Sequence, residues 1–346
     1  MRTLEIIMTH WTEPWEDGRK FFDMLSLQRG VDFSRIRVTI IHDGTEMFPA
    51  DRFWEYPYEI RQTEVPHGGI SEARNSGIDY ADARWIQFCD FDDMYSGAYS
   101  LRTVLDCLET DDYDILWGEF YAEDRTKDGQ TIINKRGENV VFIHGKYFRT
   151  EWLKSSGLRF DPDLSFNEDS AFCTIASLMI PKERIGKIDH VPPIYVWCYR
   201  DGSATGSKPN KIQAMIGSYQ RNRKVCDAYR KYAAGRRHAM MCARLICDAY
   251  WMFCLEKLPE QLKPWLEDFR DWYMDNETAF GSIRMEDLQE VREASRREHE
   301  ISVYEEERRW GLDESMTHRD IGISAWLTSM KKSMRFSRPR NLSSSR

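Results

Sequence analysis

No stretch of this 346-residue chain approaches the roughly 20 consecutive apolar residues that a membrane-spanning helix requires. Its opening, Met1 to Trp11, reads as a strand and lacks both the apolar core and the cleavage site of a signal peptide, so a cytoplasmic protein is expected. None of the 8 cysteines (Cys89, Cys107, Cys173, Cys198, Cys226, Cys242, Cys247, Cys254) stands in C-x-x-C spacing. Most lie in apolar patterns where a thiol acts as a small hydrophobe, and reduced cysteines without a metal are expected. Basic residues are outnumbered, 49 Lys plus Arg against 57 Asp plus Glu, and the net charge of −8 counts against a general nucleic-acid binder. There is no internal repeat. What is present, 41% hydrophobic residues and a mean hydropathy of −0.63, describes a globular chain of roughly two domains at ~150 residues each. A chain of this size buries enough surface to need no disulfide or metal staple.

Residues 1–207 alternate strand and helix patterns. Leu4 to Thr9 and Arg37 to His42 are apolar strands, the second running into the Asp43-Gly44 turn signal. Ile60 to Val65 fits a third strand, closed by Pro66 and Gly68-Gly69. Ser71 is placed to cap a helix through about Asp82, with Arg74 and Asn75 in its early turns. Trp85 to Cys89 is a short buried strand that stops at Asp90, and further strands fit Tyr113 to Phe120 and Val140 to His144. Such alternation predicts an α/β domain with a mostly parallel sheet, whose ligands gather at the carboxyl ends of its strands. From 208 to 328 the apolar residues fall at helical spacing (Ile212, Met215, Ile216, Tyr219, then Met241, Leu245, Tyr250), which predicts an all-helical second domain. Residues 329–346 form a basic tail with six Lys or Arg and no acid, expected to be disordered.

Chemistry concentrates in two places. The strand ending Trp85-Ile-Gln-Phe-Cys-Asp90-Phe-Asp92-Asp93 delivers three carboxylates within four residues. They repel one another unless a cation is near, and a hard divalent ion, Mn²⁺ or Mg²⁺, takes oxygen ligands and bridges to a diphosphate. A solvated acidic turn is the plain alternative. Just upstream, Gly68-Gly-Ile-Ser-Glu-Ala-Arg74-Asn75 brings a guanidinium to a helix start, where phosphate recognition and an ordinary amphipathic helix compete as readings. Further along, Glu168-Asp169 precedes an apolar helix, and helix capping is its plain reading.

The string from Ala73 to Asp93, A-R-N-S-G-I-D-Y-A-D-A-R-W-I-Q-F-C-D-F-D-D, resembles the A-R-N-x-G-I-x-x-A-x-G-x-Y-I-x-F-L-D-x-D-D segment of the family 2, GT-A-type glycosyltransferases. Ile40-Ile-His-Asp43-Gly44-Thr45 is similar to that family's V-D-D-G-S-T strand end, with His42 in place of the first acid. His144-Gly-Lys-Tyr-Phe-Arg149, Phe160-Asp-Pro-Asp-Leu-Ser-Phe-Asn-Glu168-Asp169 and Tyr199-Arg200-Asp-Gly-Ser203 resemble its H-G-K-L-Y-R, F-D-E-x-L-x-x-x-E-D and Y-R-R-x-x-S elements. The likeness covers about residues 3–205 in the right order. It implies a Rossmann-like GT-A domain and a metal-dependent, inverting transfer of sugar from a nucleotide-diphosphate donor, UDP-linked in first preference. Asp43 would hold the nucleotide base, Asp90 the ribose and, with Asp92, the metal, while Asp93 would orient the site. Arg74 would contact the nucleotide or its phosphates, and Thr9 falls at a nucleotide contact. Asp169, beside Glu168, would be the general base, its pKa lowered by the helix dipole.

Arg200 reads equally as a diphosphate clamp and as a surface residue. His144 and His190 are possible added metal ligands, and Trp197 a possible sugar platform, although structural roles are commoner for both residue types. The expected acceptor is a hydroxyl of a glycan or polyol-phosphate. Rival readings are the same chemistry on a modified base in DNA, a nucleotidyltransferase, and an inactive glycan-binding or scaffold homologue. The T-H-W-T-E-P-W-E-D loop after the first strand supplies no G-x-G element for the second rival. Homo-oligomerisation through the helical domain, and membrane or DNA contact through the tail, are further expectations.

Overall fold

Leu4, Ile6 and Met8 point to one face of the first strand and Ile7 to the other, and both faces are buried, as they must be in a sheet flanked by helices. The computed structural model describes residues 2–126, 128–137, 141–164, 166–188, 192–200, 210–255, 259–276, 283–299 and 327. The chain divides into two compact units, Met1–Lys208 and Pro209–Arg346. The first runs β1 (Leu4–His10), α1 (Trp15–Ser26), β2 (Ile36–Asp43), β3 (Glu59–Val65), α2 (Ile70–Tyr80), β4 (Trp85–Asp90), β5 (Met94–Tyr95), α3 (Ser100–Cys107) and β6 (Ile115–Trp117). It continues through β7 (Phe120–Arg125), β8 (Thr131–Arg136), β9 (Lys146–Arg149), α4 (Thr150–Ser156), α5 (Glu168–Met179), β10 (Ile185–Lys187) and β11 (Tyr195–Trp197).

Seven strands pair in the order β10-β6-β9-β4-β1-β2-β3. The expected α/β architecture is present, but the sheet is mixed: β9 runs antiparallel between β4 and β6. On one face, Phe21, Phe22 and Leu25 of α1 and Leu101, Val104 and Leu105 of α3 pack on Ile36, Val38, Ile40 and Trp85. On the other, Ala73 and Ile78 of α2 and Phe172, Cys173 and Ala176 of α5 cover Ile7, Ile41, Ile86 and Phe88. A four-stranded sheet, β5-β11-β7-β8, lies beside the first.

Two local expectations fail. Of the strand expected over Val140 to His144, Val140 lies outside the described residues and 141–144 form no strand; the strand lies at Lys146–Arg149, after Gly145 turns the chain at a φ of 68°. Ser71 does not cap α2: the cap residue is Gly69, and the Ser71 hydroxyl donates to the Asp161 carbonyl at 3.1 Å.

The second unit holds α6 (Lys211–Tyr232), α7 (Arg236–Cys254), α8 (Lys263–Asp275) and α9 (Met285–Glu298). Asn210 and Gln213 close a reciprocal capping box at the start of α6. α7 is the central helix, packed on α6, α8 and α9. Its Asp248 is wholly buried and accepts from Asn222, Arg244, Ser295 and His299. Burial opposes ionisation there, yet His299 and Arg244 push Asp248 down to about 2. Among the described residues, no helix is long and apolar enough to cross a membrane. The basic tail 329–346, His190 and Ser203 lie outside the described residues.

Gly77 sets how closely α2 approaches β1, since a methyl built there would sit 2.3 Å from Ile7 Cγ2. Helix propensity alone predicts that Gly77→Ala stabilises by about 1 kcal/mol. The close contact predicts the reverse, a loss of about 1–3 kcal/mol, and the urea midpoint decides the sign.

Candidate active site

Parallel pairing puts Thr9 level with both Ile41 and Asp90 and His10 level with His42, so the carboxyl ends of β1, β2 and β4 share one edge. Thr9, Asp43 and Asp90 therefore stand along one rim, although 81 positions separate the first from the last in the chain (90 − 9). Asp43 is buried at the end of β2. Its Oδ1 accepts the Gly68 N–H at 2.7 Å, and its Oδ2 accepts the Gly69 N–H at 3.0 Å and meets His67 Nδ1 at 2.9 Å. The half-exposed Trp11 stacks on His67, with ring centroids 5.3 Å apart and 14° between the planes. Beside it, a cleft of about 300 Å³ is lined by Trp11, Glu13, Trp15, Thr45 and Arg52. Sequence reading passed over Trp11 and Glu13, since nothing in their spacing marks them. His42, in the position of the family's first acid, is wholly buried, with Nδ1 2.9 Å from His10 Nδ1 and Nε2 3.0 Å from Gln62 Oε1.

Arg74 faces inward. It is buried, and its two terminal nitrogens donate to Asp90 Oδ1 and Glu168 Oε1, both at 2.8 Å. Its guanidinium carbon lies 5.3 Å over the Phe160 ring. The guanidinium thus bridges the end of β4 to the first turn of α5 and makes no exposed anion site. Asn75, next in sequence, clamps the backbone of the same loop: Nδ2 donates to the Phe160 carbonyl at 2.9 Å and Oδ1 accepts its N–H at 2.8 Å.

The three crowded carboxylates separate into three environments. Burial works against the Asp90 charge, but Arg74 prevails and holds it below the usual carboxylate range. Asp92 is raised, by burial first and Asp90 next, although Arg200 Nε donates to its Oδ2 at 2.6 Å. Arg200 also reaches Glu13 Oε1 at 3.1 Å, so it ties the end of the second sheet to the loop after β1. Asp93 is fully buried and accepts from the Tyr195 hydroxyl and the Cys198 N–H. Burial, then Asp90 and Asp92, raise it well above the usual range. His144 is buried too; its Nδ1 has no partner among the described residues, and burial pushes it down to about 4, leaving it neutral. One of its ring nitrogens lies within 4.8 Å of carboxylate oxygens of Asp90 and Asp93. Trp197 ends β11 half-buried, its ring 6.5 Å from that of His144.

Glu168 and Asp169 lie inside α5, not before it, and neither caps it: the cap residue is Asn167, at a φ of 61°. Glu168 is taken by Arg74. Asp169 Oδ1 accepts the Ser170 N–H at 2.7 Å. The expected depression of its pKa by the helix dipole is reversed: burial first and Glu168 second raise Asp169 to about 6, outweighing Arg74 and the Ser170 amide.

Comparisons with known proteins agree with this architecture. The family model of glycosyl transferase family 2 matches residues 6–170. The uncharacterized glycosyltransferase EpsJ of Bacillus subtilis (strain 168) is 30% identical over 184 residues, 47% of this chain and 53% of EpsJ. The minor teichoic acid biosynthesis protein GgaB of the same strain is 25% identical over 182 residues, 47% of this chain and 19% of GgaB. The chain thus spans about half, or less, of the length of these two relatives. Residues 1–349 of Staphylococcus aureus TarS, in complex with UDP, share the fold with a TM-score of 0.61 at 15% identity, covering 91% of this chain and 93% of that one.

Replacing Arg74 by Met leaves Asp90 and Glu168 buried without their cation, which should cost about 3–5 kcal/mol of unfolding free energy at pH 7. Because the folded pKa of Asp90 is depressed, its contribution is present above the usual carboxylate range and lost as pH falls through the folded value. Urea unfolding of wild type and Arg74→Met should therefore differ most at neutral pH and converge in acid.

Proposed function

We propose that this chain, whose residues 6–170 match the glycosyl transferase family 2 model, is a member of that family and moves a glycosyl group from a nucleoside-diphosphate sugar, UDP-linked, to a hydroxyl of a glycan or polyol-phosphate. The observation that carries this reading is the Arg74 bridge, which sets the end of β4 against Asp169, the one carboxyl raised to about 6. The UDP bound to TarS favours uridine, and the teichoic-acid role in the name of GgaB favours a polyol-phosphate or glycan acceptor.

In this reading the nucleotide lies along the rim of Thr9, Asp43 and Asp90. A carboxylate offers about four lone-pair sites, and the Asp43 contacts use three, so one remains for an imide N–H of a base. Trp11, stacked on His67, supplies an exposed ring face near that point. Carboxylate oxygens at Asp90 and Asp92 suit a hard divalent cation in chemistry, and the ligand atoms that the fold brings within 4.8 Å of one another are those of Asp90, Asp93 and neutral His144. Mn²⁺ or Mg²⁺ held there would supply positive charge against the departing diphosphate. Arg200, already across the site at Asp92 and Glu13, is placed to turn its guanidinium to the same diphosphate.

Asp169 takes the acceptor proton as the anomeric carbon is attacked from the opposite face, which gives inversion. Its pKa near 6 suits the task, since it is ionised at neutral pH yet more basic than an ordinary aspartate. Glu168, fixed by Arg74, positions the turn and does not accept the proton. Membrane, DNA and oligomer contacts find no support among the described residues.

Transfer and donor hydrolysis with a panel of nucleotide sugars test the assignment; failure of every donor to bind or turn over refutes it. Asp169→Asn should retain donor binding and lower transfer by about 10²–10⁴-fold. Because Asp169 is raised in the fold, its ionisation costs stability as pH rises from about 4 through about 6, so Asp169→Asn should melt no lower than wild type at pH 7.5. In wild type, kcat/KM should rise tenfold per pH unit below about 6 and level above it, and a flat profile would place the base elsewhere. Asp92→Asn should abolish the dependence on added Mn²⁺ or Mg²⁺ together with turnover, whereas unchanged metal dependence would move the cation to other ligands.

A further inference from the structure

In the helical unit, Cys226 of α6 faces His238 and Cys242 of α7. His238 and Cys242 are four residues apart and so share one face of α7. The two sulfurs are 3.7 Å apart, Cys242 Sγ is 3.4 Å from His238 Nε2, and all three ligand atoms lie within 4.8 Å of one another. A tetrahedral ion with Zn–S near 2.3 Å and Zn–N near 2.0–2.1 Å sets its sulfurs about 3.8 Å apart and each sulfur about 3.5 Å from the nitrogen. The two edges that meet at Cys242, 3.7 Å and 3.4 Å, are close to these values, and Cys226 Sγ lies within 4.8 Å of the His238 ring nitrogen that closes the triangle.

We propose that Cys226, His238 and Cys242 bind a thiophilic divalent cation of the zinc type, which ties α6 to α7. Both thiols are wholly buried, while His238 is half-buried. Two thiolates and a dication are together neutral, which lowers the cost of burying them in the apolar core of α7. The C-x-x-C spacing absent from the sequence is not needed, because the ligands come from two helices across the Ala233–Gly235 turn. The ion clamps that turn on one side as the Asn222–Asp248 bond at 2.8 Å links the same two helices. The proposal does not depend on glycosyl transfer and takes a softer metal than the oxygen-rich rim of the sheet.

The test uses the full chain without an affinity tag, purified under reducing conditions and loaded with Co²⁺ or Zn²⁺. Thiolate-to-cobalt charge-transfer absorption should appear at about one equivalent and vanish in Cys226→Ser/Cys242→Ser, while Cys247→Ser and Asp92→Asn keep it. Hard oxygen ligands give no such band, and its loss in the Cys226→Ser/Cys242→Ser variant separates this site from Cys89 and Cys198, the thiols beside the acidic rim. In wild type, Zn²⁺ should shield Cys226 and Cys242 from alkylation, as read by peptide mass, and raise the melting temperature. That measurement needs no variant to fold. Absence of the cobalt band, alkylation indifferent to Zn²⁺, or a Cys226–Cys242 disulfide persisting under reductant would overturn the proposal.

Discussion

The first unit depends on one buried guanidinium. Arg74 holds Asp90 and Glu168, two acids 78 positions apart (168 − 90), each at 2.8 Å. A buried arginine pays a large desolvation cost, which is offset only when both ends of its fork meet carboxylates. That requirement draws the end of β4, the first turn of α2 and the start of α5 to one point. Asn75 and Ser71 hold the intervening loop by its backbone at Phe160 and Asp161, so the first turns of α2 act as a bracket for the turn carrying Asp169.

From this bracket follows a division of labour among like residues. Asp90, Asp92 and Asp93 carry the same side chain, yet Asp90 is pulled down by Arg74 and Asp93 is driven up by burial. Asp92 lies between them, tethered by Arg200. Asp169 is raised by burial first and by the charge of its neighbour Glu168 second, which together outweigh Arg74. Environment thus gives four aspartates different proton affinities: Asp90 is lowered, while Asp92, Asp93 and Asp169 are raised.

The helical unit is organised on the same rule, that a buried polar group must find its partners. Asp248 collects four donors from three helices and their flanks, and the Cys226–His238–Cys242 cluster collects three soft ligands from two. Both clusters involve α7, whose Leu245, Ile246, Tyr250, Trp251 and Met252 belong to the apolar core of the unit.

By itself the sequence determined the alternation of strands and helices, the helical second half and the run Asp90 to Asp93 at a strand end, because periodicity and turn chemistry are local. It also carried the family likeness, since A-R-N and D-F-D-D stand at a fixed spacing along the chain. Where local chemistry misled, a long-range partner was the cause. Ser71 found Asp161 instead of capping, Arg74 turned inward to Glu168, and Asp169 rose in pKa where a helix dipole alone would lower it. The Cys226–His238–Cys242 cluster was invisible for the same reason, its ligands coming from facing helices. Which acids are charged, which guanidinium is buried and which thiols meet are questions of distance and desolvation, and only the tertiary structure decides those.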